Sequence, residues 1–206
     1  MPDRYKTVLL FGMPGVGKGT QGKILGHIPG FFHLACGEVF RSLDVNSELG
    51  RQVMQYSSRG ELVPDALTID MWRNNVHAQT VLSLFKPKDD LLILDGIPRN
   101  VAQATAMDSH LDVLKVVHLV CSDQDAMVHR MRRRALKENR LDDADEKVVR
   151  HRFAVYEQET RPVLDHYDPS IVAEIDAVGS PAEVLQHVLE VLVPIQNAHF
   201  HNPLVS

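Results

Sequence analysis

The 206-residue sequence has only two cysteines, a single tryptophan and 6% aromatic residues. The thiols, Cys36 and Cys121, lie far apart and in neither CxxC nor metal-ligating spacing. That excludes a disulfide scaffold and a cysteine-built zinc site, and implies reduced thiols in a cytoplasmic setting. Long apolar runs are also scarce. In the N-terminal MPDRYKTVLLFG the unbroken apolar stretch is Val8 to Phe11, too short for a signal-peptide core or a membrane span. Excess positive charge is missing as well: the net charge of −5 gives no overall attraction to nucleic acid or to an anionic membrane. An anionic ligand would need basic residues gathered locally. No internal repeat or low-complexity linker interrupts the chain, so its length is that of one long domain with small insertions.

What is present is a regular alternation. Apolar residues make up 44% of the chain, ample for a sizeable core. Short β-rich runs recur at 7–11 (TVLLF), 91–94 (LLIL), 116–120 (VVHLV) and 171–175 (IVAEI), with a weaker one at 31–34 (FFHL). Each is followed by a stretch with helical spacing. Near-continuous apolar strands separated by helices predict an α/β fold whose parallel sheet is covered on both faces. A long helix is predicted from Asp65 to Phe85, opened by Pro64 and stopped before Pro87. Val149, Phe153 and Tyr156 place another over about 146–167. Residues 194–206 show no periodicity and read as a tail.

Three motifs carry chemistry. The first, GMPGVGKGT at 12–20, follows an apolar strand and runs into a helical segment. A strand, a glycine-rich turn and a helix start aim backbone N–H groups at one anion, with the helix dipole assisting. Lys18 supplies a point charge for the β- and γ-phosphates of a nucleotide. The usual phosphate loop has Ser or Thr after its lysine to ligate magnesium; here Gly19 stands there and the threonine, Thr20, comes one place late.

The second motif is LLILDGIPRN at 91–100, where Asp95 closes a strand. An isolated Asp-Gly is a turn signal, but at the end of a strand it can orient magnesium-bound water beside phosphates. The third is HRMRRRALKENRLDD, with Arg130, Arg132, Arg133, Arg134 and Arg140, and Arg152 beyond it. Such a run is either a solvated helix face or a cover that closes over phosphates, with Arg130 and Arg134 one helical turn apart and ALKEN as a mobile loop.

Taken in order, GMPGVGKGTQ, HLACGEVFR (33–41), GELVPD (60–65), LDGIPRNVAQA (94–104), the arginine segment through RLDD (140–143) and YEQETRPVLDHY (156–167) resemble the nucleoside monophosphate kinases, and most of all the adenylate kinase family. In that family the loop reads GKGT, so Gly19 is the ordinary form. The resemblance implies a P-loop kinase fold, with a small acceptor-binding insertion at about 35–64 and a lid at about 135–142. It implies transfer from Mg·ATP to AMP giving two ADP, in a cytoplasmic monomer with no nucleic-acid or membrane partner.

The same resemblance assigns roles by position. Gly15, Val16, Gly17, Lys18, Gly19 and Thr20 would wrap the donor phosphates, with Arg130 and Gly179 at the donor adenine. Cys36, Arg41, Glu61, Leu62, Val63, Gly96, Ile97, Pro98, Arg99 and Gln103 would hold AMP, with Gln103 reading the adenine edge. Arg134, Arg140 and Arg152 would surround the transferring group, the last two also reaching the acceptor. Mg2+ would be met by Asp95 through water, and a short lid without cysteines implies no zinc. Asn100 in PRN departs from the usual threonine and resembles the UMP/CMP kinases, leaving these or a relaxed-specificity kinase as the alternative. Ala35, Cys36 and Glu38 replace the usual serine, threonine and aspartate. A non-catalytic nucleotide-binding module is the remaining alternative, although it would have little need for so many arginines. A GTP switch lacks support because no NKxD sequence occurs.

Overall fold

The centre of the molecule is strand β1 (Tyr5–Phe11), whose alternating side chains feed two separate cores. This computed structural model describes residues 4–138 and 143–199. The other strands are β2 (Phe31–Ala35), β3 (Leu91–Asp95), β4 (Leu111–Val120) and β5 (Val172–Asp176). All pair in parallel, in the order β2-β3-β1-β4-β5. Successive residues of a strand face opposite sides. Val8 and Leu10 therefore pack with Ile93, Val117 and Leu119 on one face, and Leu9 and Phe11 with Leu92 and Leu94 on the other. The continuous apolar runs in the sequence reflect this double burial, as a helix-covered parallel sheet requires.

Helices α1 (Lys18–Leu25), α6 (Gln124–Glu138), α7 (Glu146–Val155) and α8 (Pro181–His199) contribute to the first core. Helices α4 (Asp65–Val81) and α5 (Val101–Met107) contribute Trp72, Val76, Ala104 and Met107 to the second. Two further helices, α2 (Cys36–Arg41) and α3 (Glu48–Ser57), belong to the 35–64 segment. A small third cluster, built on Val53, Val63 and Met71, joins this segment to α4.

Three expected boundaries move. Helix α4 ends at Val81 rather than Phe85: Ser83 takes a left-handed φ of 57°, and the reversal returns Phe85 to the core, where it stacks on Phe32 with ring centroids 4.9 Å apart. The helix expected over 146–167 changes pitch. It is α-helical to Val155, a wide π turn over Tyr156–Thr160, and a tight 3-10 segment over Arg161–His166. Pro162 lacks the N–H that a regular helix would use and collides with the preceding turn, which accounts for the change. The described part of the tail expected from residue 194 is helix, since α8 runs through Pro194 to His199; the remainder lies outside the described residues. Val184, Val188 and Leu192 are buried with Ile195 packed against the same core, and Gln196 Nε2 donates to the Pro29 carbonyl at 2.7 Å. Proline hid a helical stripe that continues past it.

Candidate active site

Parallel sheets place ligands outside the C-terminal ends of their strands, where the connections diverge. From β1 the chain crosses to β2 on one side, and later to β4 on the other. The loop after β1 and Asp95 at the end of β3 meet at that crevice, with Leu10 paired in register to Asp95. Gly12 lets the loop leave the sheet beside β4: its φ is +138°, and a Cβ there would stand 2.4 Å from the Leu119 carbonyl oxygen. Gly17, at φ 118°, caps α1 in a left-handed conformation. Thr20 and Gln21 donate their N–H groups to the Gly17 carbonyl, so those of Lys18 and Gly19 remain at the open helix start, where an anion is stabilised. Val16, expected at the donor phosphates, is 1% exposed, its side chain in the first core and its N–H donated to the Met13 carbonyl at 3.2 Å.

Lys18 folds back over this loop and donates to the carbonyls of Gly12 at 2.5 Å and Met13 at 3.2 Å. Burial lowers its pKa to about 8; the Asp95 carboxylate opposes the shift, while Arg99, Arg152 and Arg134 reinforce it. The ammonium is thus held desolvated, a cost that an incoming phosphate would relieve.

The loop opens into a cleft of about 1000 Å³. Its walls carry Lys18, Lys23, Arg41, Arg99, Arg130, Arg133, Arg134, Lys137 and Arg152, against Glu38, Glu61 and Asp95. A chain of net negative charge has therefore collected its cations locally. The structure also sorts the arginine run. Arg130 and Arg134 share the cleft-facing side of α6, whereas Arg132 turns to Glu146 at 3.8 Å. Arg133 and Lys137 line the cleft too, although nothing in the run of like charges sets them apart from their neighbours. Arg140 lies outside the described residues. Most of ALKEN, expected as a loop, is helical, because α6 extends to Glu138.

Asp143, the last residue of RLDD, is a component that nothing in the local sequence marks. It is completely buried. One carboxylate oxygen accepts from Arg134 Nε at 2.9 Å and from its Nη2; the other accepts from Arg152 Nη1. The side chain fixes two guanidiniums from α6 and α7 on one wall. Charge-assisted pairs of this kind are the strong class of hydrogen bond.

On the acceptor side, Arg41, Glu61, Leu62, Val63, Gly96, Pro98, Arg99 and Gln103 all reach the cleft wall. Arg99 Nε donates to the Gly96 carbonyl at 2.8 Å, while its own carbonyl accepts from Thr160 on the π turn at 2.7 Å. Two expected contacts are placed elsewhere. Cys36 is 0% exposed and Ile97 2% exposed, both inside the second core. Burial pushes the Cys36 thiol up to about 11, so it sits behind the cleft wall as an apolar filler. Cys36 follows the strand end directly, where α2 turns it inward, and that turn is not visible in HLACGEVFR. Gly179 lies in the β5–α8 connection outside the cleft lining; Gln21 Nε2 ties that connection to α1 by donating to the Pro181 carbonyl at 3.0 Å.

No group of three or more metal-ligating side chains occurs among the described residues. The donor set fits a hard cation held by phosphate oxygens and water. Asp95 stands close beside Gly19, at the phosphate end of the loop, and can accept hydrogen bonds from that water.

Comparison with known proteins agrees with this geometry. Residues 10–172 match the adenylate kinase family. The chain belongs to that family. It is 36% identical over 191 residues to an adenylate kinase of Kocuria rhizophila, covering 90% of this chain and 97% of the relative. It is 37% identical over 191 residues to that of Thermobifida fusca, with the same coverage. An adenylate kinase of Flavobacterium psychrophilum is 32% identical over 192 residues, again covering 90% of this chain and 97% of the relative. As a family member the chain is a phosphotransferase, catalysing transfer between ATP and AMP to give two ADP. The pyrimidine-kinase and non-catalytic alternatives are not favoured. No described helix is long and apolar enough to cross a membrane.

Proposed function

We propose that this cleft performs the transfer with the following division of labour. Gly15 to Thr20 and Lys18 hold the donor phosphates at the start of α1, and Arg130 and the Gly179 connection bracket the donor adenine. Arg41 and Arg99 clamp the AMP phosphate, while Leu62, Val63 and Gln103 face its base. Arg134, Arg140 and Arg152 surround the group in flight, Arg140 and Arg152 also touching the acceptor. Mg2+ enters with ATP, held by phosphates and water with Asp95 behind them; its chemistry is neutralisation of phosphate charge.

The observation that carries this reading is the convergence, in one cleft, of the loop, the strand-end carboxylate and arginines from separate elements. The chemistry needs little else. The attacking atom is a phosphate oxygen of AMP, already anionic, so no general base is required. A loose phosphoryl transition state asks for alignment and for neutralised equatorial oxygens, which the loop and the guanidiniums supply. Water must be kept from the donor. Closure of the 35–64 segment over the acceptor, and of 135–142 over the donor, would exclude it. We place the activity in a monomer in the cytoplasm, where a reducing setting suits the two free thiols.

The test is ADP formation from Mg·ATP with AMP, UMP or CMP in turn. AMP should give the highest kcat/KM. No transfer to any monophosphate would overturn the assignment of the cleft, and a pyrimidine preference would overturn the acceptor reading alone.

A further inference from the structure

Gln103 is 1% exposed although it reaches the cleft wall, and its carboxamide is held from two sides. Its Nε2 donates to Asp65 Oδ1 at 2.7 Å, and its Oε1 accepts from the Arg99 backbone N–H at 2.8 Å. The neighbouring Asn100 repeats the pattern: its Nδ2 donates to the same Asp65 oxygen at 2.9 Å, and its Oδ1 accepts from the Gln103 N–H at 2.8 Å, capping α5. A carboxylate offers only acceptors, and a backbone N–H only a donor. Turning the Gln103 amide over would set its oxygen against the Asp65 carboxylate and its NH2 against the Arg99 N–H. Both contacts would become repulsive, so a single orientation survives.

We propose that Asp65 is a specificity-determining residue, locking the Gln103 amide so that the cleft meets its remaining donor and acceptor in one fixed order. The inference rests on Gln103 facing the acceptor base. Among purines of equal size, adenine presents an amino donor beside a ring-nitrogen acceptor. Hypoxanthine presents the reverse, a carbonyl acceptor beside a ring N–H. A freely turning glutamine accommodates either by flipping. A locked one accommodates adenine and leaves the 6-oxo purine with donor facing donor and acceptor facing acceptor. Sites that leave polar groups unpaired in this way discriminate strongly. Asp65 acts through Gln103 without touching the reacting atoms; its position at the first turn of α4 and the Asn100 contact fix its carboxylate.

The experiment is kcat/KM for AMP and IMP, with KM for ATP and the melting temperature, on the wild type, Asp65→Ala, Asp65→Asn and Gln103→Ala. Asp65→Ala should lower the AMP:IMP ratio about tenfold, the scale of one hydrogen bond, and leave KM for ATP unchanged. Asp65→Asn should retain most of the ratio. Two NH2 groups converge on the same oxygen, so an asparagine there would present its carbonyl to them and the lock would persist without the charge. If Gln103→Ala leaves the AMP:IMP ratio at the wild-type value, the base-reading role itself is wrong. If Gln103→Ala collapses the ratio while Asp65→Ala does not, the base reading stands and the lock is wrong. Equal loss toward AMP and IMP in Asp65→Ala would make Asp65 a structural support, overturning the proposal.

Discussion

The phosphate loop and the arginine wall face each other across one cleft but are built from different materials. The loop presents backbone: its N–H groups are aimed by a helix start, and the loop is anchored between β1 and β4 where only glycine fits. The wall presents side chains from α6 and α7, held in place by the buried carboxylate of Asp143. Backbone geometry is inherited from the fold and changes little as ligands come and go. Side-chain geometry must be assembled, and here it is assembled by a counter-charge. The contrast teaches where each half is vulnerable: the loop to loss of its single mobile charge, the wall to loss of shape.

The sharpest way to break this comparison is Lys18→Ala. The loop's backbone should survive and the fold remain intact, while kcat falls by about a thousandfold or more, because the charge is lost where the phosphates meet. Circular dichroism with steady-state turnover checks this; near-normal kcat would remove the loop from the donor site. Next is Arg134→Lys, which keeps charge on the wall but loses the planar fork. Turnover should drop by roughly ten- to a hundredfold with donor affinity little altered, and a rise in KM alone would make Arg134 a ground-state contact.

The smallest expected effect concerns protons. The lowered Lys18 pKa, about 8, means the empty protein loses this proton as pH rises through 8, earlier than an ordinary lysine would. Bound phosphate favours the charged form, so ATP binding should take up a proton above pH 8 and weaken as pH climbs further. The sign for folding is opposite. Between about 8 and 10.5 the unfolded chain binds more protons at this residue than the folded one, so its burial cost fades as pH rises across that window. Calorimetry of ATP binding in buffers of different ionisation enthalpy would detect the uptake, and its absence would place the titrating group elsewhere.

The same division of materials explains what could be read in advance. GMPGVGKGT was legible because glycines at fixed spacing encode a backbone path, and the strands were legible because double burial leaves unbroken apolar runs. Asp95 could be placed from its position at the end of such a run. Asp143 could not: among neighbouring acids and arginines, nothing local marks the one carboxylate that becomes fully buried. Asp65 announced itself only as a helix start, since its contacts with Asn100 and Gln103 span more than thirty positions of sequence. Cys36 was misplaced for a related reason, a turn after β2 deciding whether it faces ligand or core. Arg133 and Lys137 were lost in a run of similar cations until the helix phase separated them.

Asp143 also bears on what the idle protein ignores. With Arg134 and Arg152 already satisfied by an internal carboxylate, the wall presents less free positive potential to the small anions that crowd a cell. A solitary sulfate or inorganic phosphate must compete with a partner that is tethered, desolvated and never diffuses away. A nucleotide brings several charges at once and is held simultaneously by the loop, so it can reorganise the wall without first outbidding that partner at every contact. On the cleft proposed above, the resident carboxylate would set a threshold between polyvalent guests and the ionic background.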